Sequence, residues 1–224
     1  MLDYGFIKRI YNVKEFHGST PEEIYNLKQK FGEIPKVLED FYMKAGNTEE
    51  LQYGQDIWIM PKDYLEPGWL ENFDGGIIIL NENQGVCQAY VRRQDLSLPD
   101  PPVYIWFGED KEPCLSAPSV SEFLMAASAY EAAFTFEYNP EDFYFILYDD
   151  IDEFESRLEK YPFKMQWISN DIEIMFYCND PANLVAALYC ESAEDDGIQL
   201  VYGAVNKEAY NKLEKALDGV CEPL

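Results

Sequence analysis

One histidine, five cysteines and forty-two carboxylates are the residues of this 224-residue chain to test first for chemistry. His17 sits in Glu15-Phe16-His17-Gly18. A single imidazole excludes any mechanism that needs two, and as a lone base it requires a nucleophile and an orienting group that the sequence does not supply. It reads as a surface or packing histidine. No Gly-x-Ser-x-Gly elbow, Gly-Lys-Ser/Thr phosphate loop or Gly-x-Gly-x-x-Gly turn occurs. Cys87, Cys114, Cys178, Cys190 and Cys221 never reach Cys-x-x-Cys spacing, so a thiolate zinc cage is not expected. Asp149-Asp150-Ile151-Asp152-Glu153 lacks the central glycine and terminal glutamate of a calcium loop and reads as a solvated helix start. With so many acids, no carboxylate pair can be singled out as an acid and base couple. The expectation is a protein with no catalytic residue, metal or cofactor.

Its charge points to binding instead. Forty-two acidic side chains against seventeen basic ones give a formal charge of -25. Counterion release from phosphates cannot drive association of such a chain with nucleic acid, and an anionic membrane would repel it. A basic protein is the natural partner. Hydrophobic residues at 47% exclude disorder. No apolar run reaches the roughly 18 residues of a spanning helix, and the N-terminus lacks the apolar centre of a secretory signal. Odd, scattered cysteines in apolar runs read as buried free thiols of a reducing compartment, so a cytoplasmic protein is expected.

Local signals place the elements. Thr20, Pro21 and Glu23 form a capping box that opens a helix carrying Ile24, Leu27 and Phe31, with Gly32 as its stop. A second helix from Pro35 runs through Leu38, Phe41 and Tyr42 to a left-handed stop at Gly46-Asn47. Runs at 56–60, 76–80, 86–91 and 103–107 predict an antiparallel meander, with a five-residue hairpin loop at 81–85. Ser119 caps a long helix to about Tyr138 that buries Val120, Phe123, Leu124 and Ala127. Asn139-Pro140 marks the domain boundary, giving domains 1–139 and 140–224. Beyond it, 143–148, 165–168, 172–178, 184–190 and 198–204 predict strands, 150–160 a helix, and Asn206 caps a last helix to about Leu217. The class is α+β, a mainly antiparallel sheet flanked by helices, with a C-terminal α+β extension. Charge is even over the boundary: 23 acids and 11 bases before it (23 - 11 = 12 negative), 19 and 6 after it (19 - 6 = 13 negative).

Several of these segments together resemble the SUKH superfamily, which contains the yeast Smi/Knr cell-wall-synthesis regulators and many bacterial immunity proteins. The resemblance lies in Phe31-Gly32-Glu33-Ile34-Pro35, Leu38, Phe41-Tyr42 and Ala45-Gly46-Asn47, with Ile34 where the pattern has leucine and Thr48 where it has glycine. It continues through Glu82-Asn83-Gln84-Gly85, Asp100-Pro101-Pro102-Val103-Tyr104 and Ser119-Val120-Ser121-Glu122-Phe123-Leu124, and covers about residues 19 to 137. Membership implies a non-enzymatic immunity protein that binds a cognate bacterial toxin, often a nuclease, and blocks its basic active surface. A signalling scaffold like the yeast regulators is the alternative, and a hydrolase using Asp171 and Glu173 a third.

Interface residues are sought where polar loops and aromatics meet. Trp58, Trp69, Trp106 and Trp167 are the tryptophans that could anchor a partner, with Trp69 foremost because it lies between strands. The expected contacts are Trp69, Glu71 and Asp74, the loop residues Glu82, Asn83 and Gln84, and Asp100. If these carboxylates face a partner alone, replacing Glu82 and Asp100 by lysine leaves the melting temperature nearly unchanged.

Overall fold

The structure is a computed structural model that describes residues 2–65, 74–108, 111–190 and 197–224. It divides into two compact units, one built on Lys14–Leu124 and the other on Asp3–Val13 with Met125–Leu224. In chain order the elements are α1 (Tyr4–Ile10), α2 (Pro21–Phe31), α3 (Lys36–Ala45), β1 (Ile57–Trp58), β2 (Ile77–Asn81), β3 (Gln88–Val91), β4 (Val103–Trp106), β5 (Cys114–Ala117) and α4 (Val120–Thr135). They continue with β6 (Tyr144–Leu147), α5 (Ile151–Arg157), β7 (Glu159–Gln166), β8 (Ile172–Cys178), β9 (Asn183–Cys190), β10 (Gly197–Ala204), α6 (Lys207–Leu217) and β11 (Glu222–Pro223). The class is α+β, with two wholly antiparallel sheets of five and six strands. The units part inside α4, between Leu124 and Met125, whereas the sequence marks its boundary at Asn139-Pro140.

In the first unit, α2 has both halves of its capping box: Thr20 Oγ1 accepts from the Glu23 amide, and Glu23 Oε2 accepts from the Thr20 amide at 2.6 Å. Gly32 ends the helix at φ +83°, a conformation that favours glycine. The end of α3 departs from expectation. Gly46 is right-handed, at φ -62°, and Asn47 is not left-handed either. Glycine is needed there for space: a Cβ would stand 2.3 Å from Ser19 Oγ and 2.8 Å from the Tyr42 carbonyl oxygen. The Ser19 amide donates to that same carbonyl at 2.8 Å, which pins the segment before α2 onto the end of α3.

The five strands run β1-β2-β3-β4-β5 as the expected meander, with β5 added at the edge. Its sequence, Cys114-Leu115-Ser116-Ala117 between Pro113 and Pro118, carries too weak an apolar alternation to predict a strand. At the other edge β1 shrinks to two residues, because the Met60 amide turns to Asp63 Oδ2. Tyr64 takes over the edge of β2. Its hydroxyl donates to the Ile78 carbonyl at 2.9 Å and accepts from the Ile78 amide at 2.7 Å. Phe41 and Tyr42 of α3 are fully buried, with Phe41 against Trp58 and the Tyr42 hydroxyl donating to the Ile59 carbonyl.

The second unit holds its six strands in the order β11-β6-β10-β9-β8-β7. Phe154 of α5, Leu158 just after it, and Leu213 and Leu217 of α6 pack with Tyr177, Val185, Ala187, Leu200 and Tyr202 of the sheet. Helix α1 is not among the elements that the sequence predicts. Asp3 caps it by accepting from the Gly5 and Phe6 amides, and Phe6 lies edge-on to Tyr161 and Phe163 of β7 at 5.2 and 5.4 Å. A seven-residue helix depends on such burial, because propensity alone cannot hold it. The helix expected over 150–160 stops at Arg157, and β7 begins at Glu159, earlier than the sequence placed it. Pro162 is tolerated in β7 because this is an edge strand with a bulge between Lys160 and Lys164. In α4 the four expected core positions are buried, and so are Ala126, Ala129, Ala132 and Ala133, so its apolar surface is no narrow stripe. All five cysteines are free thiols, but only Cys87 is buried.

Tyrosines inside this unit are set against the alkaline form. Burial, then hydrogen bonds to Tyr189 and the Glu155 carboxylate, raises Tyr177, while burial and Glu214 raise Tyr202. Burial also pushes Tyr210 up to about 12.

Two outcomes are expected. Gly46→Ala should lower the unfolding free energy by about 1–3 kcal/mol, read from the urea midpoint at unchanged slope, since the added methyl forces the Ser19 hydroxyl and the Tyr42 carbonyl apart from it. Because folding raises these tyrosines above their ordinary value of about 10, their contribution is fully present below about pH 10 and is lost as pH climbs through the folded values. The thermal midpoint should therefore fall steeply between about pH 10 and pH 11.5, and tyrosinate absorbance should rise with unfolding.

A candidate binding cavity at the β2–β3 hairpin

The turn from β2 to β3 is held by its own side chains. Glu82 Oε2 accepts from the amides of Gln84 at 2.8 Å and Val86 at 3.0 Å, and the Gly85 amide donates to the Glu82 carbonyl at 2.9 Å. Gly85 sits at φ +76°, where a residue with a Cβ is strained. The loop is also tied outward, as the Asn83 amide donates to Asp56 Oδ1 at 3.1 Å and Asn83 Nδ2 to the Gln55 carbonyl at 2.9 Å. Since the Val86 amide serves Glu82, strand pairing resumes only at Gln88, two residues later than the sequence predicted. Asn83, Gln84, Gly85 and Val86 are exposed on this stiff frame.

Beside the loop opens a cavity of about 430 Å³, walled by Ile57, Asn81, Glu82, Val86, Gln88, Trp106 and Phe107 among others. Four of these residues form one row across the sheet. Ile57 faces Asn81, Asn81 faces Gln88 and Gln88 faces Trp106, and residues directly opposite each other in a ladder share a face. The row carries an unmet hydrogen-bonding demand. Asn81 Oδ1, Gln88 Oε1 and Trp106 Nε1 are all buried without a partner among the described residues, and Asn81 is only 7% exposed. Each such atom costs about 1–3 kcal/mol of lost hydration. Native structures rarely leave three together without a use for them.

Of the expected interface residues, Glu82, Asn83 and Gln84 stand in this loop, Glu82 and Asn83 lining the cavity. Trp69 and Glu71 lie outside the described residues. The other two are placed elsewhere and occupied. Asp74 accepts from the Gly76 amide at 2.9 Å and the Arg93 amide at 3.1 Å. Asp100 accepts from the Ser121 amide at 2.8 Å and its hydroxyl at 2.6 Å, binding the first turn of α4 to the chain ahead of β4. Asp100 is thus engaged by the fold, and so is Glu82 through two backbone amides, so charge reversal at either is expected to lower the melting temperature rather than leave it unchanged. Among the tryptophans, Trp58 and Trp167 are core residues at 6% and 0% exposure, and Trp106 is at the cavity.

Asn81, Gln88 and Trp106 were not singled out as a set by sequence. A signal existed: Asn81 and Gln88 are the polar residues that interrupt the apolar runs on either side of the loop. Only the register shows that they stand opposite each other. Among the described residues there is no group of three or more His, Cys, Asp or Glu side chains arranged to hold a metal. Of the two carboxylates Asp171 and Glu173, Glu173 is engaged by Lys164 at 2.6 Å. No helix among the described residues is long and apolar enough to cross a membrane. Comparison of the chain with known protein families, with curated proteins and with solved structures finds no match.

If the row is kept for binding rather than stability, Asn81→Leu should stabilise the chain by about 1 kcal/mol, because it removes a buried acceptor and keeps the volume. Urea unfolding checks this, and a loss of similar size would show that Asn81 serves the fold.

Proposed function

We propose that this chain is a SUKH-type, non-enzymatic protein-binding protein that acts in the cytoplasm and neutralises a cognate bacterial toxin by covering its basic active surface. The observation that carries this reading is electrostatic. The protein has a formal charge of -25, and the described residues lining its hairpin cavity include one carboxylate, Glu82, and neither lysine nor arginine. A nuclease must be basic to grip phosphates, so an acidic receptor steers towards it over distances that exceed contact. The stiffness of the loop supports the same role, because an interface that is already ordered loses less entropy on binding.

The resemblance adds the segment order, which in the first unit runs capped α2, Gly-Glu-Ile-Pro link, α3, meander, Asp-Pro-Pro strand start and Ser-capped α4. Affinity would come from a patch of standard size, about 1,200–2,000 Å² in total, with carboxylates setting rate and orientation.

Recovery of the tagged chain from its native cells should bring down one basic polypeptide at one-to-one stoichiometry. Raising salt from about 50 to about 500 mM should slow association at least about tenfold, as the screening length contracts to a few ångströms. Several exchangeable partners at low stoichiometry would favour a scaffold instead, and turnover of a substrate would overturn the reading.

A further inference from the structure

We infer that the hairpin cavity is a receptor for an arginine side chain presented by a basic protein partner. This rests on the proposed function for the sign of the partner's charge, and on the cavity itself for the residue.

The unmet groups define the occupant. Asn81 Oδ1 and Gln88 Oε1 accept hydrogen bonds and stand on neighbouring strands, roughly 5 Å apart at the backbone. They call for an occupant with more than one N–H. Glu82 puts a negative charge at the rim, and the described lining contributes no positive one. A neutral amide would meet the acceptors without using this charge. An ammonium would use the charge but would have to shed a tightly held hydration shell against Ile57, Val86 and the aromatic wall. Guanidinium satisfies all three conditions: it carries five N–H groups in a planar fork, holds a permanent charge, is weakly hydrated and stacks on aromatic faces.

The rest of the wall suits the remainder of an arginine residue. Ile57 and Val86 are each 49% exposed and offer an apolar ledge to the three methylenes. Trp106 and Phe107 flank the place of the planar head. Lys111 already lies 5.3 Å from the Phe107 ring centroid, so the indole of Trp106 is the face assigned to the incoming cation. The Trp106 N–H is a donor, and an acceptor for it comes with the partner as a main-chain carbonyl. The three polar atoms are themselves buried, so they meet the occupant through side-chain rotation, a movement that leaves the backbone ladder in place.

The test uses the whole protein, labelled at the tryptophan indole nitrogens, with the Trp106 resonance assigned through Trp106→Phe. Acetyl-Gly-Arg-Gly-amide should shift that resonance saturably. The same peptide with citrulline, which keeps the shape and loses the charge, should bind at least about tenfold more weakly, and so should the lysine peptide. Gln88→Leu and Glu82→Gln should each weaken the arginine peptide by about tenfold while the protein retains its cooperative melting. Absence of a saturable shift overturns the inference, and so does equal binding of the citrulline or lysine peptide. A basic protein partner bound equally well by the wild type and Gln88→Leu also overturns it and leaves the inhibitor reading standing. Specific binding of the arginine peptide with no basic protein recovered from cells supports the cavity assignment and removes the inhibitor reading.

Discussion

Every residue of β2 is buried, and the first unit is arranged around that constraint. A strand in this position must have its backbone groups paired and both faces covered, or the unmet groups cost more than the apolar contacts return. Strand β3 supplies one edge, with a bulge between Ile78 and Leu80. The other is pieced together from two residues of β1, the amide of Ile59 on the Ile79 carbonyl, and the hydroxyl of Tyr64 on both polar groups of Ile78. Helix α3 adds Leu38, Phe41 and Tyr42, and its tight union with the Gly18-Ser19 segment at Gly46 fixes where that apolar face falls.

Burial continues to the last residue of β2, which is where it stops being favourable. Asn81 ends the run with a buried amide oxygen that has no partner among the described residues. The same register carries this demand across to Gln88 and Trp106. Each of the three buried polar atoms gives up hydration that the fold does not replace. The hairpin loop beside it is stiffened by Glu82, Gly85 and Asn83, giving the cavity a rim that does not collapse onto it. The formal charge of -25 surrounds this rim with a negative field.

The carboxylates of this protein divide into two kinds. Asp3, Glu23, Asp74 and Asp100 accept backbone amides at helix starts and turns, and exchange hydration for charge-assisted hydrogen bonds. Charge counting cannot separate these from the acids that hold no backbone amide. Glu82 belongs to both groups, holding its loop with one oxygen and charging the cavity rim.

The amino-acid sequence by itself determined those elements whose signals are local. The capping box of α2, the Ser119 start of α4, the Asn206 cap of α6 and the antiparallel meander were legible because each depends on residues within a few positions of one another. The α+β class follows from them. The tertiary structure alone decided the existence of α1, which is held by aromatic contacts with β7 far along the chain, and the use of Gly46 for close approach instead of a left-handed turn. It also decided the division of the chain inside α4 and the alignment of Asn81, Gln88 and Trp106. Cross-strand register and burial are sums over distant contacts, and no window of sequence contains both sides of such a contact.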